Sequence, residues 1–441
     1  MLLLKIYFEN ILARLRKSSF VKNFAIVLSG TAAAQALGFA LSPVISRLYS
    51  PSDFGVLGSF DAIFSIIAAG ATLDYTQAIM LPKQKEDAIN LFILSCLSTI
   101  IISTCCLAVC LFYPKFLLDL MKASSAWMLV LLIVAIIVTG FNRTCHAWCI
   151  RSKKFKLTSF SHVIRSLSSN GFQVSLGFLR GGGGWPLIFS RILGDMLASV
   201  NLFRVILPDL LAFRKHIRWN RMKQLAKDYS DFPMYSASQN VINALSSGLA
   251  VLLITHFYGI MVAGTYAFGA RILWTPMSFA LAPLRQVLFQ KASETHQDGG
   301  PLFPLYLKIT SGLFALVLLP SLVMILWAPD IFAWIFGDQW YLSGEFARSL
   351  VIWLVFVFCN LPAVMFAKII RIQRFVFFYD LLLLVARTSA LVLGGLFLSA
   401  SYTVMLFALV GAAMNAILIL WVGYSLMKKE GQFNLDSIRK F

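Results

Sequence analysis

A set of ionisable side chains lies inside long apolar stretches of this sequence, where charge is not expected. If such a stretch crosses a bilayer, a charge at its centre costs at least ~2.5–3.5 kcal/mol, so the side chain should face protein, water or a ligand. Each of these residues is therefore a functional hypothesis. The set is Asp61, Asp74, Arg143, Arg165, Arg191, Asp195, Arg271, Asp380 and Arg387.

Arginine dominates this set, and its chemistry points to an anionic ligand. A guanidinium group binds phosphate through two parallel hydrogen bonds and does not lose its proton. A cavity lined by arginine would suit a pyrophosphate or an acidic sugar. We predict that at least three of five arginines line one central cavity: Arg143, Arg165, Arg191, Arg271 and Arg387.

Structural explanations stay open for several of these charges. Arg191 and Asp195 are four residues apart, so they would meet on one helix face and could neutralise each other. Asp380 lies seven residues before Arg387, again on one face. The carboxylates could instead bind a proton or a sodium ion during a transport cycle. The candidates for such ion coupling are Asp61, Asp74 and Asp380.

Trp274 lies one helical turn after Arg271 and could stack on a sugar ring. The competing explanation is that it anchors a helix at the membrane interface, where tryptophan is enriched. The sequence leaves both roles open.

The composition places the chain in a membrane. Its 441 residues are 59% hydrophobic and 13% charged, with a mean hydropathy of +0.80, whereas soluble domains are near half apolar and a quarter charged. The net charge of +19 comes from short basic stretches between apolar runs, which is typical of cytoplasmic loops. A nucleic-acid partner is not expected, because no basic domain remains to bind one.

About twelve apolar stretches are long enough to cross the ~30 Å hydrocarbon core, and basic residues recur in alternate loops. We therefore predict an all-α polytopic membrane protein with two six-helix lobes and both termini in the cytoplasm. The predicted segments are a basic amphipathic N-terminal segment at 1–23, an N-lobe at 24–207, a basic cytoplasmic linker at 208–230, a C-lobe at 231–427 and a cytoplasmic tail at 428–441.

The motifs of common enzyme classes do not occur in the sequence. It contains no GxxxxGK[ST], no HExxH and no GxSxG. The seven cysteines form no CxxC pair, and the isolated run Cys145-His146-Ala147-Trp148-Cys149 is not expected to hold a metal. We predict neither an enzyme nor a cofactor.

Two segments, one in each half, carry recognisable motifs. In the first half these are Leu48-Tyr49-Ser50-Pro51-x-Asp53-Phe54-Gly55 and Ala78-Ile79-Met80-Leu81-Pro82. In the second they are Phe257-Tyr258-Gly259, Gly264-x-Tyr266 and Gln286-Val287-Leu288-Phe289-x-Lys291-Ala292. Tyr49 and Gly55 correspond to Tyr258 and Gly264, so the two halves echo each other. With these motifs the sequence resembles the polysaccharide transporter family, the Wzx-type O-antigen flippases of the MOP superfamily.

The resemblance implies a V-shaped central cavity and alternating access without ATP. The substrate class it implies is an undecaprenyl-pyrophosphate-linked oligosaccharide, such as an O-antigen repeat unit, moved from the inner to the outer leaflet of the bacterial inner membrane. Membrane lipids and other polysaccharide-assembly membrane proteins are the expected partners. The alternative function is an ion-coupled multidrug or metabolite exporter on the same fold. Cationic drugs would favour buried carboxylates, and here arginine predominates.

Overall fold

The computed structural model describes residues 19–123, 125–297, 300–370 and 372–438. The predicted N-terminal segment at 1–23 falls almost entirely outside these ranges. The helices α1 to α16 are, in order, Ser19–Leu48, Pro51–Gly70, Tyr75–Ala78, Lys85–Phe112, Pro114–Met121, Trp127–Arg151, Phe155–Arg180, Gly184–Ala212, Trp219–Asp228, Ser238–Tyr258, Ile260–Gln297, Leu302–Phe336, Tyr341–Cys359, Leu361–Ile369, Gln373–Phe397 and Ala400–Ile438. Short 3-10 turns occur at Arg214–His216 and Asp338–Trp340, and a π-helical turn at Phe232–Ala237.

The helices have the length and apolarity of membrane spans. Within the described ranges, which contain no strand, eight helical segments are long and apolar enough to cross a bilayer. The most apolar window of Leu302–Phe336 has a mean hydropathy of 2.4, yet only 11% of that window is buried, so its apolar side chains need lipid around them. Four further helices, α1, α7, α8 and α11, are of comparable length but more polar. The prediction of an all-α polytopic membrane protein is confirmed.

Several helix ends differ from those that hydropathy predicts. The second of the apolar stretches is interrupted, because α2 ends at Gly70 and a turn precedes the short α3. Helix α8 continues to Ala212, five residues into the predicted linker, and passes through Pro208. Helix α11 extends to Gln297, well beyond the apolar stretch. A hydropathy profile shows where the apolar residues of a span end, but the helix itself can continue past that point into water.

The chain folds into two compact units. Among the described residues, the first unit comprises 19–48, Ile63–Asp119 and Ala123–Val241. Within it α1 packs along α7, α7 along α8, and α6 against α4 and α8. Small residues let these backbones approach closely: a Cβ added at Gly194 of α8 would lie 2.8 Å from the carbonyl oxygen of Arg165 on α7. Such contacts are common where membrane helices associate.

The second unit comprises Tyr49–Ala62, Leu120–Lys122 and 242–438. Its characteristic contact is a reciprocal crossing of the starts of α2 and α11. A Cβ at Gly55 would overlap the carbonyl oxygen of Ile260, and a Cβ at Gly264 would overlap that of Pro51. Gly55 thus faces Ile260, four positions before Gly264, and Gly264 faces Pro51, four positions before Gly55. The two positions that echo each other in the sequence therefore meet in this unit as a matched pair.

An aromatic cluster supports this crossing. Phe54 of α2 contacts Phe268 of α11 and Trp340 edge to face, with ring centroids 5.0 and 5.1 Å apart. Trp340 is fully buried and does not anchor the chain at an interface. Its position just before α13 resembles that of an interfacial tryptophan in sequence, but the aromatic partners bury it.

The basic linker folds onto the first unit. Met222 and Leu225 of α9 are buried, and Arg221 holds Asp87 at the start of α4 through two hydrogen bonds, from Nε to Oδ1 and from the second guanidinium nitrogen to Oδ2, both 2.7 Å. Asn90 adds a hydrogen bond to the carbonyl oxygen of His216 at 2.9 Å. Part of the linker is thus a docked amphipathic helix.

We expect Arg221→Gln to loosen this docking. Loss of a bidentate, partly exposed ion pair should cost up to ~1 kcal/mol, or about fivefold in the population of undocked linker. Limited digestion with chymotrypsin should then cut beside Trp219 or Tyr229 several-fold faster. Lys227→Gln, on the exposed face of the same helix, is the matched control. Equal cleavage rates for the two variants would contradict a clamping role.

Candidate functional site

The turn after α2 places a carboxylate inside the first unit. Leu73 and Asp74 have φ of 46° and 56°, in the left-handed region, where aspartate is more often found than most residues. The amide of Leu73 donates to the carbonyl oxygen of Gly70 at 2.9 Å, which closes the turn. Asp74 is 7% exposed. The interruption of the second span therefore buries an acidic side chain at a strained position, a combination that favours a functional role.

Two amides bind this carboxylate. The side chain of Gln77 donates to Oδ2 of Asp74 at 2.7 Å, and that of Asn240 donates to the same oxygen at 3.4 Å. Gln77 belongs to α3 and Asn240 to α10, so residues distant in sequence converge on Asp74. Amide donors stabilise the ionised form of a buried carboxylate.

Arg143 completes this group. Its guanidinium donates a 2.7 Å hydrogen bond to the carbonyl oxygen of Ala68, in the last turn of α2. It lines a cavity of about 390 Å³ together with Asp74, Gln77 and Asn240. Thr72 and Thr76 also line this cavity. The lining is therefore polar, with a cation, a carboxylate and several hydrogen-bonding groups, in a volume typical of small ligand sites.

A second pair of charges lies between α7 and α8. Asp195, 4% exposed, forms an ion pair with Nε of Arg165 and accepts a second hydrogen bond from that guanidinium at 3.3 Å. The glycine at 194 allows this contact, because it lets α7 approach. Asp195 is thus neutralised by a neighbouring helix, a partner that the four-residue spacing to Arg191 does not reveal.

Arg191 lies over the ring of Phe64, with its Cζ 4.8 Å from the ring centroid. Arg143 is within electrostatic range of Arg165, Arg191, Asp74 and Asp195. Three of the five predicted arginines are therefore neighbours in the first unit. Three arginines against two aspartates give this cluster a net positive charge.

The other predicted site residues belong to the second unit. Arg271 and Trp274 both lie on the exposed side of α11, and Trp274 is 44% exposed. Asp61 and Asp380 are half-buried. Arg387 is only 6% exposed and is enclosed by aromatic rings. The proposed roles of these residues in substrate binding and ion coupling stay predictions.

Sequence reasoning missed the amides that hold Asp74 and a pair of histidines. The rings of His146 and His162 stack with centroids 4.7 Å apart. Asn240 ends a polar run, Ser236 to Asn240, inside an otherwise apolar stretch, and that run was the available signal. Gln77 gives a weaker signal, since a single amide near a helix end has many explanations.

Comparison with known proteins agrees with this architecture. The family model described as polysaccharide biosynthesis protein matches residues 44–344. No curated protein matches the sequence.

Solved structures resemble the chain in fold. A multidrug resistance MATE family transporter of the MOP superfamily, in an inward-facing conformation, aligns with a TM-score of 0.70 and 15% identity, covering 89% of this chain and 96% of that one. The lipid II flippase MurJ, in an inward closed conformation, aligns with a TM-score of 0.68 and 14% identity, covering 91% and 87%. A MOP superfamily transporter from Pyrococcus furiosus aligns at 0.58 and 14%, covering 92% and 95%.

These identities are too low to transfer a substrate, and they establish the fold alone. The family match covers most of the chain and includes the first-half turn motif and the α2–α11 crossing. The chain is a multi-pass membrane protein with the fold of MOP superfamily transporters, and it belongs to the polysaccharide biosynthesis protein family.

Proposed function

We propose that this protein is a flippase for an undecaprenyl-pyrophosphate-linked oligosaccharide, such as an O-antigen repeat unit. It would move the glycolipid from the inner to the outer leaflet of the bacterial inner membrane by alternating access, with both termini in the cytoplasm. The observation that carries the proposal is the positively charged cluster of Arg143, Arg165 and Arg191 in the first unit, in which Arg143 lines the polar cavity. The family match supports the polysaccharide class of the substrate.

The chemistry of the cluster suits a diphosphate. Moving a pyrophosphate through hydrocarbon requires compensation of its charge, and each guanidinium offers a planar pair of donors to phosphate oxygens. Arg143 faces the cavity directly, whereas Arg165 is already paired with Asp195. We assign Arg143 the first contact with the phosphates. The threonine hydroxyls and amides of the cavity can bind sugar hydroxyls.

The second unit contains further candidate residues for this proposal. Arg271 would bind the same headgroup, and Trp274, with its ring accessible, would stack on a sugar. Asp74 is the best-placed candidate for ion coupling because its carboxylate lines the cavity beside Arg143. Asp61 and Asp380 are further candidates. The polyprenyl chain would stay in the lipid, so only the headgroup needs a polar route.

Reconstituted transport tests the proposal. Purified protein in proteoliposomes should expose a polyprenyl-pyrophosphate oligosaccharide on the opposite leaflet faster than protein-free vesicles do. The same vesicles should not accumulate a cationic dye driven by a proton or sodium gradient. Dye transport without movement of any lipid-linked glycan would favour the exporter function and overturn the proposal.

A further inference from the structure

Arg387, on α15, is a charged side chain enclosed by aromatic rings in the core of the second unit. It is 6% exposed. Its Cζ lies 4.0 Å from the ring centroid of Trp353 on α13 and 4.0 Å from that of Phe407 on α16. The guanidinium plane is therefore in contact with two aromatic rings, one from each neighbouring helix. This is a built environment, since three helices contribute to it.

One hydrogen-bond donor of this guanidinium, Nε, lacks a protein acceptor. Its Nε is buried and has no hydrogen-bond partner, and nowhere in the described ranges does Arg387 form an ion pair. Asp380 lies on the same helix but seven residues away, and it is not an ion-pair partner of Arg387. The rings can contact the guanidinium group, but they offer no strong acceptor to N–H groups at its edge.

The neighbouring polar groups that lack partners can also donate. The indole nitrogen of Trp353 and the hydroxyl of Tyr379 are buried without a hydrogen-bond partner. Tyr379 and Tyr266 are both close enough to interact electrostatically with Arg387. Arginine and tryptophan side chains have no acceptor, and a tyrosine hydroxyl can donate. The tyrosine hydroxyls can also accept a hydrogen bond, but they carry no charge. Asp380 is within electrostatic range of Tyr379 but forms no ion pair with Arg387, so in the described part of the chain the guanidinium lacks a paired countercharge.

Deprotonation of Arg387 does not remove this buried, unpaired charge. Arginine stays protonated under all ordinary conditions, so the buried charge persists. Contacts with aromatic faces compensate only part of the desolvation of a buried charge. A bound anion at the guanidinium edge would supply both the acceptor and the countercharge.

We propose that the cluster of Arg387, Trp353, Tyr266 and Tyr379 binds a small inorganic anion of the size of chloride. The enclosure of Arg387 suits a small ion better than the headgroup of a lipid-linked sugar, so this proposal is an alternative to the predicted role of Arg387 in substrate binding. The role of the anion is to neutralise the core of the second unit, and it does not depend on which substrate the protein carries.

Thermal unfolding of the purified full chain in detergent tests the site. Sodium chloride is titrated against sodium gluconate at constant ionic strength, so that only the identity of the anion changes. The wild-type Tm should rise with chloride and reach a plateau, since the folded state alone offers the site. Arg387→Met should abolish the dependence, and it should unfold at a higher temperature than wild type in gluconate, because it removes an uncompensated buried charge.

Two further variants make the result decisive. Arg348→Gln, at an exposed arginine on α13, should keep the full chloride dependence. Tyr379→Phe retains the ring but removes the donor, and it should shift the chloride titration midpoint to higher concentration. A wild-type Tm that is independent of chloride would overturn the proposal, as would an unchanged dependence in Arg387→Met. If Arg387→Met does not fold, an unchanged midpoint in Tyr379→Phe overturns it.

Discussion

Gly264→Ala should destabilise the fold severely although it adds only one methyl group. The added Cβ would overlap the carbonyl oxygen of Pro51, which is backbone and cannot rotate away. The starts of α2 and α11 would have to separate, and Phe54 and Phe268 would lose their contact. Overpacking of this kind costs about 1–3 kcal/mol where side chains can adjust, and a backbone clash should exceed that range. The measurement is the Tm and the monodisperse yield in detergent.

Gly312→Ala is the matched control for this prediction. Gly312 lies in α12 of the same unit, and a Cβ there would meet nothing within 4 Å. Alanine is favoured over glycine in a helix by up to ~1 kcal/mol, so this variant should be as stable as wild type or more so. Gly55→Ala should behave like Gly264→Ala because the crossing is reciprocal. Equal Tm values for Gly264→Ala and Gly312→Ala would show that the two helix starts do not cross as described.

Arg143→Gln should reduce the transport rate more than any other single substitution in the first unit. The change removes the cation of the cavity and leaves the carboxylate of Asp74 without a positive neighbour there. A hydrogen bond to a charged group is worth about 1.5–3 kcal/mol, which corresponds to roughly a 10- to 150-fold loss. Initial rates of glycolipid flipping in proteoliposomes measure the effect.

Two variants separate substrate binding from folding at this position. Arg143→Lys keeps the charge but loses the planar fork, so it should recover part of the rate. Arg204→Gln removes an exposed arginine from α8 and should leave both rate and Tm unchanged. If Arg143→Gln transports at the wild-type rate, Arg143 is a structural cap on the last turn of α2 and not a substrate ligand.

Hydropathy and the family motifs predicted the architecture because each reports a strong physical constraint. A bilayer admits only helices or closed barrels, so long apolar stretches with no alternating pattern leave one solution. The sequence showed that Gly55 and Gly264 occupy corresponding positions in the two halves. Their contact could not be deduced, because sequence does not show that the two echoing positions face each other.

The candidate site was only partly predictable. Because charged side chains are rare in membrane-spanning segments, the sequence alone singled out Arg143, Arg165 and Asp74. Their partners were not predictable, since Arg165 finds Asp195 on another helix and Asp74 finds Asn240 more than 160 positions later in the chain. Arg387 had the same sequence signature as the other arginines, yet aromatic rings from α13 and α16 give it a different environment. A local sequence pattern does not show which residues, distant in the chain, will bury a given side chain.

The most direct test of the central claim compares headgroups of different charge. Proteoliposomes would contain the same oligosaccharide linked to a short polyprenyl chain either through pyrophosphate or through a neutral ether. A cationic pathway should move the pyrophosphate form much faster, and Arg143→Gln should remove most of that preference. Equal flipping of the charged and neutral forms by the wild-type protein would contradict the account.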